Sequence, residues 1–121
     1  MPSAKDRILV ADGEPLIVHL LVSALPRLGF EVDAAADGPD ALLKGQSHSY
    51  AAILLSTGLP GKDGLDVARG LRQSGVKTPI ILASASLHDL ADVPADLVLL
   101  LKPYNITDLR NSLSQALRRP D

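Results

Sequence analysis

The chain has 121 residues, a formal net charge of −2 and 46% hydrophobic residues, the content of one compact domain rather than of a disordered segment. Its charge gives no basic footprint for nucleic acid, and no apolar run approaches the roughly 20 residues that a membrane helix needs. Cysteine is absent, which excludes disulfides and thiolate metal sites, and aromatics at 2% leave the core to aliphatic side chains. No apolar segment follows the charges of MPSAKDR, so no secretory leader is expected. The expectation is a single cytoplasmic domain spanning 1–121.

The first apolar run, Ile8 to Ala11, is short and continuous, as in a strand buried on both faces of a parallel sheet. Asp12, Gly13 and Glu14 follow, and Pro15 then opens a helix that Gly29 ends. Within that helix Ile17, Leu20, Leu21, Ala24 and Leu28 form the expected core stripe. Val18, Val22 and Leu25 form a second apolar stripe beside it, either covered by neighbouring helices or free as a dimer or partner surface. No charged residue lies between Glu14 and Arg27, and Pro26 removes one late helical hydrogen bond and bends the last turn. Val32 to Ala36, Ala51 to Leu55, Pro79 to Ala83 and Leu97 to Leu101 repeat the strand pattern, with helical stretches between them. The last helix follows Asn105 as N-cap and carries Ile106, Leu109, Leu113, Ala116 and Leu117 on one face. Strand and helix thus alternate five times, the pattern of an open, doubly wound α/β sheet. Ligands of such sheets bind at the carboxyl ends of the strands, where Asp12, Ser56, Ser84 and Lys102 all fall. His19, His48 and His88 show no metal-ligand spacing and read as surface residues.

Five segments together resemble the receiver domain of response regulators, over roughly Arg7 to Leu117. RILVADGEPLI resembles the first strand and acidic turn, and GFEVDAAADGPDAL the second strand and the entry to the second helix. ILLSTGLPGKDG resembles the phosphorylation loop, TPIILASA the fourth strand, and LLLKPY the fifth strand with its Lys-Pro. The resemblance implies a flavodoxin-like fold: one five-stranded parallel sheet in order 2-1-3-4-5 with five helices, and a cis Lys102–Pro103 bond, which X–Pro tolerates at little cost. It also implies that Ser56 stands where the family has its phosphoacceptor aspartate, and Gly13 where it has the second acid of a metal-binding pair. Gly58 takes the place of the carbonyl ligand, Ser84 of the switch hydroxyl, Leu99 of the switch aromatic, and Lys102 of the lysine that contacts the phosphoryl group.

These departures bear on the chemistry. Mg²⁺ wants several oxygen ligands in near-octahedral geometry, and two of the three carboxylates are gone, so no metal and no cofactor is expected. Glu14 is expected to enter the helix and point elsewhere. A serine hydroxyl is a poor nucleophile without a base and cannot form an acyl phosphate. Lys102 is expected to pair with Asp12, in a pocket that is neutral or draws a stray anion. Ser84 is expected to hydrogen-bond locally rather than act as a switch. The helix between the fourth and fifth strands is expected to be short by roughly one turn, broken at Val93-Pro94, with an altered output surface.

The sequence therefore points to a degenerate receiver, or pseudo-receiver. That is a phosphorylation-independent protein-interaction module of two-component signalling, not an enzyme. Its partners would be proteins, among them a second copy as a homodimer, with no direct nucleic-acid or membrane contact. Two other functions fit the same residues: a true phosphotransfer acceptor using Ser56, Thr57 or Asp63, and a small-ligand sensor in the emptied acidic pocket.

Overall fold

The computed structural model describes residues 6–86 and 93–118. Five strands form one parallel sheet: β1 (Arg7–Ala11), β2 (Glu31–Ala35), β3 (Ala52–Ser56), β4 (Ile80–Ser84) and β5 (Val98–Leu101), ordered β2-β1-β3-β4-β5. Each lies within about one residue of the apolar run that announced it. The helices are α1 (Pro15–Ala24), α2 (Gly38–Ser47), α3 (Gly64–Gln73) and α4 (Ile106–Leu117). The helix expected between β4 and β5 falls on residues 87–92, outside the described residues, as does His88.

Alternation along the strands divides the core in two. Leu9, Ile53, Leu55, Ile80 and Leu82 point to the face covered by α2 and α3. Ile8, Val10, Leu54, Ile81 and Leu100 point to the face covered by α1 and α4. The inner strands β3 and β4 are buried throughout, which is why they read as unbroken apolar runs. The edge strands differ. In β5 every second residue is exposed, Leu99 and Leu101 among them.

At the other edge, Glu31 donates its amide to Asp6, so Val32 and Ala34 direct their backbone groups away from β1. Lys44 reaches over from α2 and donates to the Ala34 carbonyl at 2.8 Å, while also pairing with Asp40 at 3.1 Å. Below it, Arg7 pairs with Glu31 and Asp33, and the Tyr50 hydroxyl donates to Asp33 at 2.8 Å. This ties the amino-terminal ends of β1 and β2 to the segment entering β3. His19 and His48 are both exposed, and His48 packs edge-on against Tyr50.

The first helix departs from the expected phase. Leu21 and Leu25 are its buried residues, with Ile17 and Leu28 packed against the same core. Leu25 is fully buried and is not part of a surface stripe, while Leu20, expected in the core, is 54% exposed. The seated stripe runs Ile17–Leu21–Leu25–Leu28, the i, i+4 rows of one helix face. Leu20 falls beside it, on the solvent side. Val22 is exposed and Val18 half-buried. At Pro26 the helix tightens into a 3₁₀ turn over Leu25–Leu28, closed by Gly29 at φ 96°, a conformation that favours glycine.

The last helix has the expected Asn105 cap. Its side chain accepts from the Asp108 amide at 2.8 Å, and Asp108 accepts in return from the Asn105 amide at 3.1 Å, a complete capping box. Ile106 and Leu117, expected on the buried face, are exposed. The buried row is Leu109, Ser112, Leu113 and Ala116, because only the middle turns lie over the sheet.

Candidate phosphorylation-type pocket

Three strand ends build the pocket. Asp12 follows β1 directly, Ser56 closes β3, and Lys102 follows β5. The central strands place Asp12 and Ser56 side by side, and both are buried. The Lys102–Pro103 bond is cis, as the resemblance implies. The lysine enters from the far edge and donates to Asp12 Oδ2 at 2.9 Å and to Ser56 Oγ at 2.7 Å. The other Asp12 oxygen, Oδ1, accepts from the Glu14 amide at 2.9 Å, an Asx-type turn that launches α1. Ser56 in turn donates to the Thr57 carbonyl at 3.0 Å.

Glu14 does not point elsewhere. It caps α1 through its backbone alone, and its exposed carboxylate comes within 3.9 Å of the Lys102 ammonium. The sequence could not supply this, because Lys102 reaches Glu14 from the end of a strand far away in the chain.

The loop after β3 is held by Asp63. Its Oδ1 accepts from the Gly58 amide at 2.6 Å and its Oδ2 from the Leu65 amide at 3.1 Å, so one side chain closes the loop and caps α3. Gly58 has φ 85°. A side chain at Gly64 would collide with the Ser56 carbonyl, so the helix can start this close to the strand only at a glycine. Gly13 is exposed beside this loop, and a Cβ there would lie 3.0 Å from the Pro60 ring.

Ser84 lies at the end of β4, and its hydroxyl donates to the Ser86 carbonyl at 2.9 Å. Leu99 is on the edge strand and half exposed, apart from the polar group. The structure thus brings together Asp12, Ser56 and Lys102, with Glu14 above them. Gly13, Gly58 and Ser84 lie at the rim.

The donor set fits Mg²⁺ poorly. Asp12, the one buried carboxylate among the described residues, already accepts with both oxygens, and Ser56 offers a neutral hydroxyl. Among the described residues no three acidic, histidine or cysteine side chains converge.

Beside the pocket a groove of about 420 Å³ separates α1 from the β5–α4 loop. Ile17, Leu20 and Leu21 line one wall, Pro103 and Tyr104 the other, and Glu14 and Lys102 its upper end. Burial, and next the nearby Asp12 charge, push the Tyr104 hydroxyl up to about 12.

The family model of the response regulator receiver domain matches residues 8–114. Among curated proteins, the two-component response regulator PhoP of Pseudomonas aeruginosa is 33% identical over 93% of this chain and 52% of its own length. The transcriptional regulatory protein TcrA of Mycobacterium tuberculosis is 37% identical over 93% of this chain and 46% of its own. The chain therefore spans about half the length of these relatives. Among solved structures, the response regulator TrrA of Thermotoga maritima in complex with Mg²⁺-BeF superimposes with a TM-score of 0.83 at 34% identity, covering 93% of this chain and 99% of that one. The complex of the histidine kinase ThkA with TrrA matches with a TM-score of 0.82 at 33% identity, over 93% and 98%.

Proposed function

The chain belongs to the response-regulator receiver domain family, and we propose that within it this domain is a phosphorylation-independent protein-interaction and signalling module. The observation that carries this reading is the bonding of Ser56. It stands where the resemblance calls for an acceptor carboxylate, it is buried, and its oxygen takes a 2.7 Å hydrogen bond from Lys102. Among the described residues no base faces it: Lys102 donates, and Asp12 spends its second oxygen on that same lysine. A hydroxyl without a base is a weak nucleophile. The Lys102 ammonium is also bonded to both Asp12 and Ser56, which speaks against a small-molecule sensor at this point. We assign the domain no catalytic activity.

The rival acceptors are no better placed. Asp63 has both oxygens engaged by backbone amides, and using it would release the loop it closes. The partners we propose are proteins of a two-component pathway, a histidine kinase of the class that holds TrrA among them.

Heat unfolding with and without Mg²⁺ and beryllofluoride tests the reading. A ligand at 100 times its dissociation constant adds about 2.7 kcal/mol of stability. The expected melting temperature is unchanged, and a clear upward shift overturns the proposal. Intact mass after incubation with acetyl phosphate is expected to show no added phosphoryl group. An adduct on Ser56, Thr57 or Asp63 would restore the phosphoacceptor reading.

A further inference from the structure

The groove between α1 and the β5–α4 loop holds about 420 Å³, within the range of small-molecule sites. Its walls are apolar, with Ile17, Leu20 and Leu21 on the helix side and Pro103 and Tyr104 opposite. Leu20 is 54% exposed, so an apolar ligand would take from water a surface that the fold leaves wet. The charges at the upper end are unequal. Lys102 gives its ammonium to Asp12 at 2.9 Å and to Ser56 at 2.7 Å, so Asp12 cancels it. Glu14 lies 3.9 Å from that ammonium, beyond hydrogen-bond reach, and its side chain is 70% exposed. One negative charge is therefore left over. Among the described residues no hydrogen bond engages the Tyr104 hydroxyl, and burial keeps its proton in place.

We propose that this groove is a binding site for a small organic cation, a single ammonium group on an apolar aryl or alkyl body. The body lies against Ile17, Leu20, Pro103 and Tyr104, and the ammonium meets the Glu14 carboxylate. An ammonium carries three donors and no acceptor, which suits an exposed carboxylate that no hydrogen bond occupies. A carboxylate ligand would face Glu14 and find Lys102 already committed to Asp12 and Ser56. A neutral ligand of the same shape would fill the walls but leave the surplus charge unanswered. The volume is that of one small molecule, and the one uncompensated charge calls for one ammonium. The site lies beside the Asp12 and Ser56 bonds and asks nothing of either. The beryllofluoride experiment therefore reports on the pocket, and the titration below reports on the groove.

The measurement is an NMR titration of backbone amide shifts at neutral pH with three probes that share one body: phenylbutylamine, phenylbutanol and phenylbutyrate. The amine is expected to saturate shifts at Ile17, Leu20, Leu21 and Tyr104. It should bind about threefold to fivefold more tightly than the alcohol, the size of a partly exposed ion pair, and more tightly still than the acid. High salt should shrink that lead, because it screens exposed charge. Glu14→Gln should bring the amine down to the alcohol while leaving the alcohol unchanged. Leu20→Ser should weaken all three, with the melting temperature of the free protein close to the wild type because Leu20 is half exposed. If none of the probes saturates at millimolar concentration, the proposal is overturned and the groove is left to a protein segment. Saturating shifts confined to other parts of the chain overturn the placement. An acid that binds as well as the amine, or an amine whose lead survives Glu14→Gln, overturns the assignment to a cation.

Discussion

Lys102 spans two strand ends, and its two bonds decide what neighbouring substitutions can do. Because its ammonium pairs with Asp12, adding acid at both empty positions should turn a neutral pocket into an anionic one. Gly13→Asp combined with Ser56→Asp is expected to give a melting temperature that rises with Mg²⁺ and beryllofluoride. Ser56→Asp alone should give a smaller rise, since its ligand set lacks one carboxylate. The Gly13 substitution should be tolerated, because its 3.0 Å neighbour is a proline ring that can pucker away. No response from the double variant would mean that losses beyond the two acids disable the pocket.

Tyr104 offers a test by pH at the same scale. Its hydroxyl titrates near 12 in the folded chain, against 10.0 for an ordinary tyrosine, through burial and then the Asp12 charge. The folded state therefore binds this proton more tightly than the unfolded state. Its contribution to stability is complete below about pH 10 and is lost as pH rises toward 12. Tyr104→Phe should make the alkaline fall in melting temperature shallower over that interval. An identical fall in both proteins would show that the hydroxyl is freely solvated.

Among the elements, the strands were legible because burial on both faces writes itself as an unbroken apolar run. The sequence also placed Pro15 and Gly29 at the ends of the first helical segment and Asn105 as a cap, since each residue type has a backbone reason to stand there. The phase of α1 was not legible. With Leu16, Ile17, Val18, Leu20, Leu21, Val22 and Leu25 all apolar, several faces are nearly equivalent on paper. Only packing against Ile8 and Val10 decides that Leu25 goes in and Leu20 stays out. This gives a contrast to measure by urea unfolding. Leu25→Ala should cost about 2–5 kcal/mol, as buried leucines do. Val22→Ala should stay within about 0.5 kcal/mol. Comparable costs at the two positions would show that the helix sits in another rotation. Glu14 was misplaced for a related reason: its position beside Lys102 depends on a strand end far away in sequence.

On the scale of the whole molecule, the two ends of the sheet are built differently. Arg7, Asp33 and Tyr50 brace the amino-terminal end, while the carboxyl-terminal end holds the pocket and the groove. The receiver architecture was legible from five ordered motifs. The groove between α1 and the β5–α4 loop was not, because its two walls come from segments far apart in sequence.

The Lys44 contact with the Ala34 carbonyl has a consequence for how such a domain lives among its own kind. A parallel sheet ends in a row of unsatisfied backbone groups, and an extended segment from any neighbour could continue it. By occupying an acceptor on that row with a charged side chain, α2 makes lateral growth of the sheet cost an ion's desolvation. Encounters between copies are thereby steered away from open-ended strand addition, which has no natural stopping point.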